Sequence, residues 1–401
     1  MLFNDYSIFI YVALFVLICN LAKRVTERLI VSNLVLLTGN VLLILTLVKE
    51  HTIIVLSVLS LLVFLSGKLL QSKSSKSILA AGISLVLILF SIRNYPYINE
   101  NMTQGVVSYL RAPIMSVQKL GLSYILFRYV HYLVESYRKR IQHPNFLTFI
   151  NYIFFFPTII AGPIDTYNNF QYWLRRNRNH YTNSLFFAGI TRIFLGAVKT
   201  IWIVPMIITY ATDYKELIPE FAPATAILLS LLAYSAYIYI DFSGYSDIAI
   251  GTAYLIGIKT PENFNNPYIS ASLSEFWKRW HITFSNFLKR YVFKPSIRVY
   301  NSIINPRHRL LVTILCYITT FIICGLWHGD TLNFVYWGLW HGVGLAINKV
   351  WMVKVRPRIG FASSQAYRSI SILITFVYVT FGWVFFHYPH EDLVVIFKLL
   401  L

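Results

Sequence analysis

Three histidines each follow a tryptophan: His281 closes Glu275-Phe-Trp-Lys-Arg-Trp-His281, His328 lies in Cys324-Gly-Leu-Trp-His-Gly-Asp330, and His341 lies in Gly338-Leu-Trp-His-Gly342. An imidazole titrates near pH 6.5 when unperturbed, which suits it to taking a proton from an alcohol at neutral pH. An ionisable residue inside an apolar segment is costly and marks a functional site by default. His328 is the sharpest of the three, because Gly325 and Gly329 flank it and leave room for backbone or substrate to approach. His281 reads either as an interfacial residue or as an imidazole aimed into a cavity, and the later segments favour the cavity. For His341 a packing role, bonded to a neighbouring helix, is the stronger reading. Residues thirteen apart on one helix differ by about 220°. The break Gly329-Asp330-Thr331 therefore places His328 and His341 on two helices. No His-Glu-x-x-His or comparable spacing is present, so no metal site is expected.

Acids accompany the histidines. Asp241 and Asp247 bracket the aromatic, small-residue stretch Asp241-Phe-Ser-Gly-Tyr-Ser-Asp247 between two apolar runs. They either contact a hydroxylic or cationic ligand or pin helices through hydrogen bonds, and pinning is slightly favoured. Pro261-Glu-Asn-Phe-Asn-Asn-Pro-Tyr268 reads as a structured loop, with Glu262 and Asn263 as turn residues. Phe156-Pro157, followed by Ala161-Gly-Pro-Ile-Asp165, reads as a broken helix end, a feature tolerated where it lines a protein-enclosed cavity. Between the loop and the first histidine, 271–294 carries Leu273, Phe276, Trp277, Trp280, Phe284, Phe287, Leu288 and Tyr291 at three- and four-residue steps. That spacing predicts an amphipathic helix at an interface, capped by Ser272 or Ser274 with Glu275 in the first turn.

The elements that position these groups follow from composition. The 401 residues are 57% hydrophobic and 13% charged, against about 25% charged in soluble domains. Apolar runs long enough to approach a bilayer crossing recur at 8–22, 29–48, 53–65, 78–92, 147–161, 185–211, 224–240, 248–258, 310–326, 332–350 and 370–386. These predict an all-α polytopic membrane protein with ten or eleven spans plus re-entrant pieces. The first residues hold Asp5 and no basic residue, so the first run is expected to stay as a helix, with the amino terminus outside because Lys23, Arg24 and Arg28 follow it. The segment Arg93–Pro113 reads as a surface loop. The net charge of +19 gathers in short clusters such as Arg138-Lys-Arg140, Arg175-Arg176 with Arg178, and Arg307–Arg309, a pattern of the cytoplasmic side of a membrane and of anionic lipid rather than of nucleic acid. Cys19, Cys316 and Cys324 lie in apolar runs and suggest no disulfide framework. Residues 1–112 read as scaffold helices, 113–350 as the catalytic core and 351–401 as a terminal helix and tail.

In this order, the segments at 156–165, 241–251, 261–268, 275–281 and 325–342 resemble the membrane-bound O-acyltransferase (MBOAT) family, over roughly 120–350 and most closely its bacterial branch. The Pro261-Glu-Asn-Phe-Asn265 and Gly162-Pro-Ile-Asp165 wording leans toward members that handle D-alanine. Thr380-Phe-Gly-Trp-Val-Phe-Phe386 leans toward the acetyl branch, whose Gly-Gly-Asn-Arg is replaced here by Pro295-Ser-Ile-Arg298. The resemblance implies a multi-helix bundle with re-entrant helices around a central funnel, and it implies that His328 is the essential histidine and His281 the second characteristic residue. It also implies an acyl thioester donor, acetyl-CoA or an acyl-carrier protein, reaching the site from the cytoplasm as co-substrate, with no bound cofactor. An envelope glycan or polymer would approach from outside, with a secreted acyl-transfer partner, at the inner (cytoplasmic) membrane.

The expected chemistry is direct acyl transfer to a hydroxyl, with His328 as general base and His281 orienting substrate or stabilising the oxyanion. No Gly-x-Ser-x-Gly elbow offers a serine acyl-enzyme. Trp280, Trp327, Trp337, Asp165, Asp241, Glu262, Asn263 and His341 complete the candidate substrate-contacting set. A non-catalytic transporter of a lipid-linked sugar would also need a polar intramembrane cavity, but no pair of symmetric broken helices is present.

Overall fold

The structure, a computed structural model, describes residues 7–25, 29–48, 50–94, 121–176 and 183–400. Most of the Arg93–Pro113 segment, the 112/113 boundary and Arg178 lie outside the described residues. Every regular element among the described residues is helical. Among the described residues five helices are long and apolar enough to cross a membrane: Thr52–Ser72, Asn183–Ile208, Pro223–Leu255, Arg309–His328 and Gln365–His387. Three shorter apolar helices, Ile10–Leu21, Ile30–Leu45 and Lys76–Ile92, accompany them. The all-α polytopic class stands on these.

The runs of the sequence do not map one to one onto these helices. Those at 224–240 and 248–258 fuse into one 33-residue helix, because the stretch between them has no proline and its Asp247 is neutralised by Arg192 at 2.6 Å. The run at 147–161 breaks at Phe154-Phe155 into two short pieces. Leu332–Val350 has the length of a span, but Trp, Gly, His and Asn lower its hydropathy.

The chain forms two compact units, residues 1–198 with 244–261, and residues 199–243 with 262–401. In the first, helices α1 (Ser7–Val25), α2 (Leu29–Leu45), α3 (Glu50–Ser72) and α4 (Lys76–Asn94) precede α5 (Leu122–Tyr137), α6 (Phe146–Ile153), α7 (Tyr167–Arg176) and α8 (Asn183–Ala197). Apolar packing alone gives little specificity between helices in lipid, so side-chain hydrogen bonds set the register. Asn151 donates to the Asn33 side chain at 3.1 Å, and Asn40 donates to Asn151 at 3.3 Å. The Ser60 and Tyr129 hydroxyls pair at 2.7 Å. Arg128 is buried, and its guanidinium donates to the carbonyls of Tyr152, Ile153 and Thr158 and to the Thr158 hydroxyl at 2.7–2.9 Å. The cation thus satisfies the free carbonyls where α6 ends.

The second unit carries the histidines. It holds most of α9 (Pro223–Leu255), whose residues from 244 belong to the first unit, and then α10 (Leu273–Arg279), α11 (Ile282–Leu288) and α12 (Lys294–Ile303). The antiparallel pair α13 (Arg309–His328) and α14 (Leu332–Val350) follows, then α15 (Gln365–Gly382) and α16 (Leu393–Leu400). Glycines let α13 and α14 touch backbone to backbone. A Cβ on Gly325 would stand 2.0 Å from the Phe334 carbonyl oxygen, and one on Gly338 would stand 2.3 Å from that of Phe321. The repeated Gly-Leu-Trp-His-Gly therefore supplies small residues to one helix–helix seam.

Candidate active site

The expected continuous helix over 271–294 is broken at its histidine. Its start is capped as expected: the Ser272 hydroxyl accepts from the Glu275 amide, and the Glu275 carboxylate accepts from the Ala271 amide at 3.0 Å. After α10, however, Trp280 is extended and His281 takes φ 41°, ψ 53°, the left-handed region. That conformation costs an L-residue about 1–2 kcal/mol. The preceding loop imposes it. The Asn263 carbonyl accepts the Ile282 amide at 2.9 Å, its side chain accepts the Thr283 hydroxyl at 2.9 Å, and the Asn265 amide donates to the Arg279 carbonyl at 2.9 Å. Apolar periodicity cannot register such a turn, because the stripe continues on both sides of it. Asn263 thus acts in the structure as the clamp that holds the His281 turn.

The His281 ring is buried, stacked on Phe284 at 4.9 Å between centroids and edge-on to Phe242 at 4.8 Å. Trp327 is 6.4 Å away. Burial, with a smaller contribution from the nearby His328, pushes the His281 imidazole down to about 3, so it is neutral at physiological pH.

His328 is the last residue of α13 and is half-buried. Its ring lies 4.3 Å from Trp327, 4.9 Å from Phe386 and 5.0 Å from Trp337. Among the described residues no hydrogen bond engages either ring nitrogen. Trp337 links it to His341, whose ring centroid is 4.8 Å from Trp337 and 5.1 Å from Trp277. Among the described residues the expected bond from His341 to a neighbouring helix is absent: the ring is fully buried and neither nitrogen has a partner there. Aromatic faces fill the space around it, and they offer no acceptor in line. The structure thus joins His281, Trp327, His328, Trp337 and His341 in one aromatic box.

The remaining candidates separate. Trp280 packs among Phe264, Phe276 and Trp383 at 5.2–5.6 Å, as part of the aromatic core behind His281. Asp241 is buried on α9, one residue before the Phe242 that abuts His281, and no hydrogen bond reaches its carboxylate among the described residues. Among the described residues it is Asp247, paired with Arg192, that pins a helix. Glu262 is exposed on its loop. Asp165 belongs to the first unit, where its carboxylate accepts from the Thr166 amide at 2.7 Å and the Asn169 side chain at 2.9 Å. Burial raises its carboxyl to about 7, against the lowering effect of those bonds and of Arg128.

Sequence reasoning places Trp277 and Phe284 on the apolar stripe but identifies none of the box walls, Phe242, Phe284, Trp277 and Phe386, as site residues. Aromatic residues are common everywhere in this chain, so nothing local distinguishes these four. It also missed Arg128, for which there was a signal: a cation in an otherwise apolar helix.

The family profile of the MBOAT, membrane-bound O-acyltransferase family matches residues 35–388. The chain is similar to the probable alginate O-acetylase of Azotobacter vinelandii, 34% identical over 291 residues that cover 72% of this chain and 53% of that protein. It is 30% identical over 293 residues to the peptidoglycan O-acetyltransferase of Helicobacter pylori, covering 67% and 53%. It is also 29% identical over 317 residues to the teichoic acid D-alanyltransferase of Bacillus subtilis, covering 76% of each. The chain spans about half the length of the alginate and peptidoglycan relatives.

Proposed function

The chain belongs to the membrane-bound O-acyltransferase family, and we propose that it moves an acyl group, acetyl in the first instance, from a thioester donor to a hydroxyl of a cell-envelope polysaccharide or polymer. The observation that carries this reading is the half-buried His328 imidazole, unengaged by the described protein, at the end of an apolar helix and inside an aromatic box. The acetyl group is supported by the acetylases of alginate and peptidoglycan among its relatives.

In this mechanism His328 takes the proton of the acceptor hydroxyl as the oxygen attacks the thioester carbonyl. The tetrahedral oxyanion collapses, the carbon–sulfur bond breaks, and the departing thiolate receives the proton from His328. His281, neutral in its buried setting, orients the substrate or meets the oxyanion. The aromatic walls lower the local dielectric, which strengthens each of these interactions. Trp327 and Trp337 flank the reacting groups. Asp241, one residue before the Phe242 wall, is a candidate substrate contact. The donor is acetyl-CoA or an acyl-carrier protein entering from the cytoplasm, no cofactor is held, and a secreted partner completes transfer outside. The protein lies multi-pass in the inner membrane, with 113–350 as the catalytic core between 1–112 and 351–401.

A second reading, D-alanyl transfer toward teichoic acid, is favoured by the match to 76% of the Bacillus subtilis D-alanyltransferase. One experiment tests both. His328→Ala at unchanged membrane abundance should reduce acylation of the envelope polymer about 10²–10⁴-fold, the contribution of general acid–base catalysis. Mass spectrometry of the polymer reads the loss, and the mass missing per unit tells acetyl from alanyl. Near-wild-type acylation would defeat the assignment.

A further inference from the structure

At the end of the α13–α14 pair remote from His328, α14 continues as a wider turn over Trp351–Val355 and a short turn over Arg356–Arg358. The chain then folds back through 359–364 into α15. The Trp351 indole donates to the Tyr367 hydroxyl at 3.1 Å and ties the two limbs together. Between them lies a cavity of about 870 Å³. Its floor is apolar, formed by Ile347, Met352, Ile359, Ile370 and Ile374, and Arg356 and Arg368 both line it.

No carboxylate pairs with either arginine among the described residues. The one acid on the lining, Glu275, is engaged by Arg279 at 2.8 Å and by the Ala271 amide. The apolar floor runs out onto a bare face of α15, where Ile370, Leu373 and Ile374 are 57–63% exposed. In a membrane protein that face meets acyl chains. Arg307 and Arg309 at the start of α13, Lys349 in the last turn of α14, and Lys354 and Arg358 beyond it sit at the same end of the antiparallel pair, the end that the positive-inside rule assigns to the cytoplasm.

We propose that this cavity is a binding site for one anionic phospholipid of the cytoplasmic leaflet, with Arg356 and Arg368 on its phosphate and its acyl chains along Ile347, Ile370 and Ile374. A guanidinium matches a phosphate through paired N–H donors, and two of them around one cavity form a clamp that a zwitterionic lipid, carrying its own cation, uses less well. The apolar floor selects a lipid over free phosphate. The site is independent of the acyl-transfer reading, since none of its lining residues belongs to the histidine box.

The test uses the full chain, purified in detergent and stripped of lipid, with native mass spectrometry counting adducts of phosphatidylglycerol and of phosphatidylcholine with identical chains. The expected result is a preference of roughly 10-fold for phosphatidylglycerol, set by the two basic side chains. The double variant Arg356→Gln, Arg368→Gln should lose that preference, and Arg307→Gln with Arg309→Gln should keep it. Ile374→Trp, which narrows the floor and leaves the arginines, should lower binding of both lipids, so the proposal stays testable if the double variant folds poorly. A preference that survives the Arg356, Arg368 change, or an Ile374→Trp protein that binds as wild type, overturns the site. Displacement of phosphatidylglycerol by glycerol phosphate at equal concentration would reduce it to a simple anion site and overturns it as well.

Discussion

The seam between α13 and α14 gives a perturbation whose size can be worked from the structure. In Gly325→Ala the new methyl would stand 2.0 Å from the Phe334 carbonyl oxygen, where ordinary contact begins at 3.4 Å, so the two backbones must part by about 1.4 Å. The obstructing atom is backbone, and no side-chain rotation relieves it. Overpacking of this kind costs about 1–3 kcal/mol, which a helix pair can survive. The consequence for the site is larger. His328 lies three residues further along α13, and its contact with Trp337 of α14 at 5.0 Å spans the parted seam. A displacement of about 1 Å in a reacting group lowers turnover on the order of 10²-fold. Under the proposed function, acylation of the envelope polymer, normalised to membrane abundance, should therefore fall by about that factor. Gly360→Ala, whose methyl would meet nothing within 4 Å, should leave it unchanged. If Gly325→Ala protein at normal abundance acylates like wild type, then the close approach of these helices does not position His328 and the reasoning fails.

At position 281 the usual order of Ala and Gly should reverse. Glycine adopts φ 41° without steric cost, so His281→Gly should be more stable than His281→Ala by about 1 kcal/mol, although both lose acylation; thermal unfolding followed by tryptophan fluorescence decides it. Asp165 predicts a pH effect outside the histidine box. Its carboxyl keeps the proton up to about 7 in the folded protein, against 3.8 in the unfolded chain, so the native state binds more protons between those values. The stability that this group contributes is complete below 3.8 and is lost as pH rises through about 7. Raising the pH from 6 to 8 should thus lower the melting temperature of the wild type more than that of Asp165→Asn. Equal slopes for the two proteins would show that the buried carboxyl is not protonated in the native state.

The sequence alone determined the membrane class, the two-helix arrangement of His328 and His341, a serine cap just ahead of Glu275 and the family. Each of these rests on local or one-dimensional information: apolar run length, a glycine-flanked break, a hydroxyl ahead of a first-turn acid, and ordered motifs. Tertiary structure decided the rest. Whether Asp241 or Asp247 pins a helix depends on which one faces Arg192, and both lie on the same helix. The left-handed turn at His281 comes from hydrogen bonds with Asn263 and Asn265, sixteen and more residues upstream, which no periodicity encodes. The isolation of His341 follows from the rings that fold brings around it. Hydropathy is a property of each residue by itself, whereas a partner, a strained turn or an unsatisfied ring nitrogen is a property of two segments meeting, and only the folded chain specifies which segments meet.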